Sequence, residues 1–71
     1  MKGFNFLVNA KTARICEVYA KRQVLTTDDS MKIFLGSATF RALNDAETGL
    51  YLEVFEFVYD MFLEEMGVVF E

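Results

Sequence analysis

Histidine and proline are absent from this chain, and cysteine occurs once, as Cys16. Without histidine, the hydrolytic triads lack their usual general base. One cysteine excludes an internal disulfide, and with no histidine beside it a structural zinc site has no ligand set. No run approaches the roughly 18 uncharged apolar residues that a membrane-spanning helix needs. The apolar start from Phe4 to Val8 is interrupted by Asn9, Lys11 and Arg14 before a signal-peptide core is complete. Gly36-Ser37-Ala38-Thr39 has neither the glycine spacing nor the lysine of a phosphate loop.

Positive charge is missing from the whole second part of the chain. Residues 1–41 hold all seven basic side chains (Lys2, Lys11, Arg14, Lys21, Arg22, Lys32, Arg41) against three acids, a net of +4. Residues 42–71 hold eight acids and no base, a net of −8, which leaves the chain at −4. An acidic chain has no electrostatic footprint for a nucleic acid, and none is expected as a partner. The polarity itself favours pairing of one part with the other, within a chain or between copies.

Apolar residues, by contrast, are plentiful, at 54% of 71 residues. The length makes residues 1–71 a single domain, and one that buries only about 60% of its unfolded surface. With disulfide and zinc excluded, oligomerisation is the remaining common device for stabilising so small a fold. An unbridged cysteine fits a reducing, cytoplasmic compartment.

Periodicity predicts an all-α fold of three helices. The first runs from Phe4 or Asn9 to Gln23, with Phe4, Val8, Ile15 and Tyr19 on one narrow face. Lys11, Arg14 and Lys21 form a basic stripe beside that face. Phe4, Phe6 and Val8 also alternate, so a short strand before a helix starting near Asn9 is the alternative. Thr26 with Asp29 makes a capping pattern for a second helix, whose apolar residues Met31, Phe34, Leu35 and Ala38 follow at helical spacing. Gly36 weakens it, and a turn over residues 39–43 is expected to carry Phe40. Asn44 with Glu47 reads as the next cap, with the start able to slip to Thr48 because of Gly49. The third helix, the longest, then reaches Met66, with Gly67 suited to the left-handed position after its last turn. Val68, Val69 and Phe70 form an apolar tail that is expected to dock or to pair as a strand.

This third segment carries the functional expectation. From Leu50 to Met66, twelve of seventeen residues are apolar. Glu53, Glu56, Asp60 and Glu64 fall within an arc of about 80°, while the apolar residues cover roughly two thirds of the wheel. A monomer core needs a stripe only a little over about 100° wide. The surplus predicts a partner interface anchored by Tyr51, Phe55, Val58, Phe62 and Met66, with Phe57, Tyr59 and Phe70 as further aromatic anchors, the alternative being that the whole arc is monomer core. The carboxylate stripe reads as a solvated face. It has no histidine for a carboxylate-bridged metal site and no burial to raise a pKa for acid–base work, so neither catalysis nor a cofactor is expected. Cys16 lies near Arg14, but a lone helical cysteine reads as a small core residue. The basic stripe is expected to face water or the acidic stripe.

Phe6-Leu7-Val8, Tyr19-Ala20, the Thr27-Asp28-Asp29 start, and Leu43-Asn44-Asp45 leading into Tyr59-Asp60-Met61-Phe62 resemble the small helical bacterial proteins often encoded beside toxin-like genes. A histidine late in that family's chain is missing here. The resemblance implies an accessory or antitoxin-like binding role and supplies no catalytic residue. The leading expectation is therefore a cytoplasmic protein–protein interaction module, self-associating as a homodimer through its last helix. An acidic inhibitor of a basic partner protein is the alternative, and a small-molecule binder between the aromatics is a third.

Overall fold

The structure, a computed structural model, describes residues 2–68, and among these all regular elements are helical. Four α-helices follow one another: α1 (Lys2–Gln23), α2 (Thr27–Leu35), α3 (Ala38–Leu43) and α4 (Phe55–Glu65). Two single 3₁₀ turns, Ala46–Thr48 and Leu50–Leu52, lie between α3 and α4. The expected three-helix count is therefore corrected to four, and the expected long C-terminal helix is a short one of 11 residues.

Helix α1 is continuous from Lys2, so the strand alternative for residues 4–8 is not realised. Its core side is the anticipated stripe, with Val8, Ile15 and Tyr19 buried and Phe4 packed at the margin. Cys16 and Ala20, one turn apart, are buried beside them. The helix stops where Val24 takes a φ of 56° and the Leu25 amide donates back to the Ala20 carbonyl at 2.8 Å. A β-branched residue in the left-handed region is strained, and Val24 is 91% exposed, so packing does not reward it. Val24→Gly should therefore raise unfolding stability by about 1 kcal/mol, read as a higher urea midpoint at unchanged slope.

Helix α2 begins as its residues predict. Thr26 Oγ1 accepts from the Asp29 amide at 3.1 Å, with Asp28 and Asp29 in the positive first turn. Ser30 is buried against α1, where its hydroxyl donates to the Cys16 carbonyl at 2.7 Å. The chain leaves the helix at Gly36 and immediately begins another. Ser37 serves both ends: its hydroxyl donates to the Phe34 carbonyl at 2.6 Å and accepts from the Phe40 amide at 3.0 Å. What reads as a turn over residues 39–43 is thus a capped helix, α3.

Asn44 closes α3 instead of opening the next helix. Asp45 caps the first 3₁₀ turn, its Oδ1 accepting from the Glu47 amide at 3.0 Å. Gly49 then takes a φ of 70°, a left-handed conformation that a continuing helix does not contain. The Thr48 hydroxyl donates to the Ala42 carbonyl at 2.6 Å and accepts from the Leu50 amide at 3.1 Å, holding the kink. Glu53 and Val54 are extended before α4 starts. The break has a tertiary cause. It lets Leu50 enter the core and brings Tyr51 edge-on to Phe4 at 4.8 Å, while Lys11 Nζ donates to the Tyr51 carbonyl at 2.9 Å.

At the other end Gly67 has a φ of 75°, as its position predicts, and the Val68 amide closes back on the Leu63 carbonyl at 2.9 Å. Val68 packs against the core. The rest of the expected apolar tail, Val69 and Phe70, lies outside the described residues. The centre of the molecule is aromatic: Phe62 meets Tyr19 at 4.8 Å and Phe34 at 4.9 Å, both edge-to-face, and Phe34 meets Phe40 at 5.6 Å. Such pairs add to the area they bury.

Candidate functional site

Helix α4 has two apolar sides, and they do different things. Val58 and Phe62, one turn apart, are fully buried, with Leu63 beside them. Tyr51, Phe55 and Met66 are half-buried and packed against the same cluster. Of the side chains expected to anchor a partner, Tyr51, Phe55, Val58, Tyr59, Phe62 and Met66 therefore build the monomer core, Phe57 stays half exposed, and Phe70 lies outside the described residues. Val58 and Phe62 lay at the centre of the apolar arc, and the centre is what α1 and α2 cover.

The surplus lies on one flank of α4 and in the 3₁₀ turn before it. Leu52 is 67% exposed, Val54 65%, Phe57 50% and Met61 37%. Val54, Phe57 and Met61 follow at i, i+3, i+7, so they form one stripe along the outside of α4. The sequence signal for them was the excess width of the arc; their membership in the exposed set depends on how the other helices pack. Glu56, Asp60 and Glu64 are exposed and run alongside the stripe as an acidic border, and Glu53, also exposed, lies in the extended segment before α4.

Towards the end of α4 the stripe meets α3, and Glu64 belongs both to the acidic border and to the groove formed there. Ala38, Thr39 and Ala42 of α3 face Met61, Glu64 and Glu65 of α4 across an open groove of about 520 Å³. The groove is set by one carboxylate. Glu65 accepts from the Ala38 amide at 2.7 Å, the Thr39 amide at 2.8 Å and the Thr39 hydroxyl at 2.7 Å. It caps α3 from another helix, occupying the free amides that a helix start leaves. Partial burial pushes its carboxyl pKa up, but the Thr39 hydroxyl, the two amides and the nearby Arg41 charge outweigh this and hold it below the usual value.

The basic stripe does not meet the acidic one. Lys11 bonds to the Tyr51 carbonyl, as described above. Arg14 lies over the Phe55 ring at 4.2 Å, and Phe55 is itself stacked on Tyr59 at 5.3 Å. Lys21 pairs within its own helix with Glu17 at 3.9 Å. Lys11 and Arg14 thus hold α1 to the kink and to the start of α4 through a carbonyl and a π-face. Exposed carboxylates on α4 are thereby left facing solvent.

Elsewhere the chemistry is sparse. Burial pushes the Cys16 thiol pKa up, which lowers its thiolate fraction. Among the described residues, no group of three or more histidine, cysteine or acidic side chains is placed to hold a metal ion. No helix among them is long and apolar enough to cross a membrane. Compared with protein-family models, with curated proteins and with solved structures, the chain matches none.

Proposed function

We propose that this chain is a small protein–protein interaction module that acts through the outer side of α4, with no catalysis of its own. The observation that carries this reading is the exposed stripe Val54, Phe57 and Met61, with Leu52 exposed in the turn before it. Four large apolar side chains, close in sequence and left uncovered by the fold, are what a protein-binding surface offers. In one form of the reading two copies share the stripe and the chain is a homodimer. In the other the stripe belongs to a different protein, and the clustering of Glu53, Glu56, Asp60 and Glu64 along it favours a basic one. That second form is the antitoxin-like inhibitor, whose acidic face masks a cationic surface.

Sedimentation over a range of concentrations, at low and high salt, separates the two forms. A dimer that Phe57→Ser with Met61→Ser converts to a monomer supports self-association. A folded monomer that binds the neutral apolar dye Nile red, and loses most of that binding in the same double variant, supports a vacant surface for another protein. A monomer whose dye binding the two substitutions leave untouched overturns the reading in both forms.

A further inference from the structure

We infer that the α3–α4 groove and the stripe beside it take a basic amphipathic helix from another protein, in preference to a second copy of this chain. The inference rests on the interaction-module reading and names its partner.

Three features point the same way. The apolar stripe has the shape of a helix-binding surface. From Val54 to Met61 it runs about 10–12 Å along α4, roughly two turns of a facing helix. Helix-in-groove recognition uses such a length, with anchors on the partner at i, i+3, i+4 and i+7. On the α3 side, Ala38 and Ala42 keep the wall low, and small residues let a partner backbone come close. Met61, flexible and polarizable, adapts to the side chain it receives.

The border chooses the sign of the partner. Glu56, Asp60 and Glu64 stand one turn apart along the stripe, with Glu53 before them, and no basic residue occurs after Arg41. Lysines or arginines flanking the partner's apolar anchors would meet these carboxylates. The same border works against a second copy. A two-fold pairing through this stripe presents the same patch on both subunits, and with the two α4 helices antiparallel it brings the acidic rows together, where like charges repel. Of the basic stripe, Lys11 and Arg14 are engaged with the Tyr51 carbonyl and the Phe55 ring. Nucleic acids and anionic membranes carry the wrong sign for this face.

The test uses the full chain and a labelled 18-residue peptide of leucine and lysine, its leucines at helical spacing, followed by fluorescence anisotropy at low salt. Two comparison peptides are a scrambled one of equal composition and one with glutamate in place of lysine. The helical lysine peptide should bind at least tenfold tighter than either. Phe57→Ser with Met61→Ser, and separately Glu56→Lys with Asp60→Lys, should each weaken it at least tenfold. Reversing Glu17 and Asp28, acids away from the groove, should change it less than threefold. Equal binding of the scrambled peptide, or equal loss on reversing Glu17 and Asp28, overturns the inference, because binding is then only general charge attraction. A chain that is a dimer through Phe57 and Met61, and excludes the peptide, also overturns it while leaving the interaction-module reading intact. If the apolar double variant alters neither peptide binding nor self-association, both fail together.

Discussion

Phe62→Ala is expected to cost about 3–5 kcal/mol, the range for removing a buried aromatic side chain. Phe62 is fully buried and joins Tyr19 of α1 to Phe34 of α2 through two edge-to-face contacts. The loss is severe relative to what a chain of this size holds. At roughly 0.05–0.15 kcal/mol per residue, the whole domain is stable by about 4–10 kcal/mol. With a urea slope near 1 kcal/mol/M, the midpoint should fall by about 3 M, or the variant should be unfolded outright. Phe57→Ala is the matched comparison, because it removes the same side chain from the same helix. Half of Phe57 is in water, so its loss should cost less than about 1 kcal/mol. Equal costs at the two positions would mean that α4 is not divided into an inner and an outer side.

Glu65→Gln is expected to cost about 1–2 kcal/mol at neutral pH, the range for losing a helix cap, with part of the charge-assisted bonding lost to solvent exposure. The effect depends on pH in a direction that follows from the lowered pKa. A carboxyl whose pKa is lower folded than unfolded stabilises the fold fully above the unfolded value, near 4.3. That contribution disappears as the pH falls through the folded value. The stability difference between the parent chain and Glu65→Gln should therefore be constant from pH 7 to about 5.5 and shrink on further acidification. Urea unfolding at several pH values measures it. A difference that grew on acidification would contradict the capping role. Because Glu65 also walls the α3–α4 groove, the variant should bind the helical lysine peptide more weakly even where it remains folded.

The parts of the fold that local chemistry controls were readable from the residues. The α1 stripe, the Thr26 cap and the Gly67 exit are all set within a few neighbouring positions, and the all-α class follows from them. Helix α3 was harder to read because its six residues are too few to show a period, and its start is capped partly by Glu65, 26 and 27 residues away. The break before α4 was illegible for a related reason. Gly49 at the start of a helix is nearly neutral, and the cause of its left-handed turn is tertiary, in the docking of Leu50 and Tyr51 on α1. For the candidate site, the width of the apolar arc announced surplus surface. Which residues form the surplus was decided by packing. The centre of the arc, Val58 and Phe62, went to the core, whereas its edges were divided: Leu50 and Leu63 are buried, and Leu52 and Phe57, with Val54 and Met61, were left outside.

Hydroxyl-radical footprinting with mass spectrometry tests that division most directly, on the free chain and on the chain with the helical lysine peptide. In the free chain Leu52, Phe57 and Met61 should be modified rapidly while Phe62 stays protected. With the peptide, Phe57 and Met61 should become protected and Met31, exposed on α2, should not change. Modification of Phe62 in the folded chain, or protection of Phe57 and Met61 in a free chain that sediments as a monomer, would contradict the account.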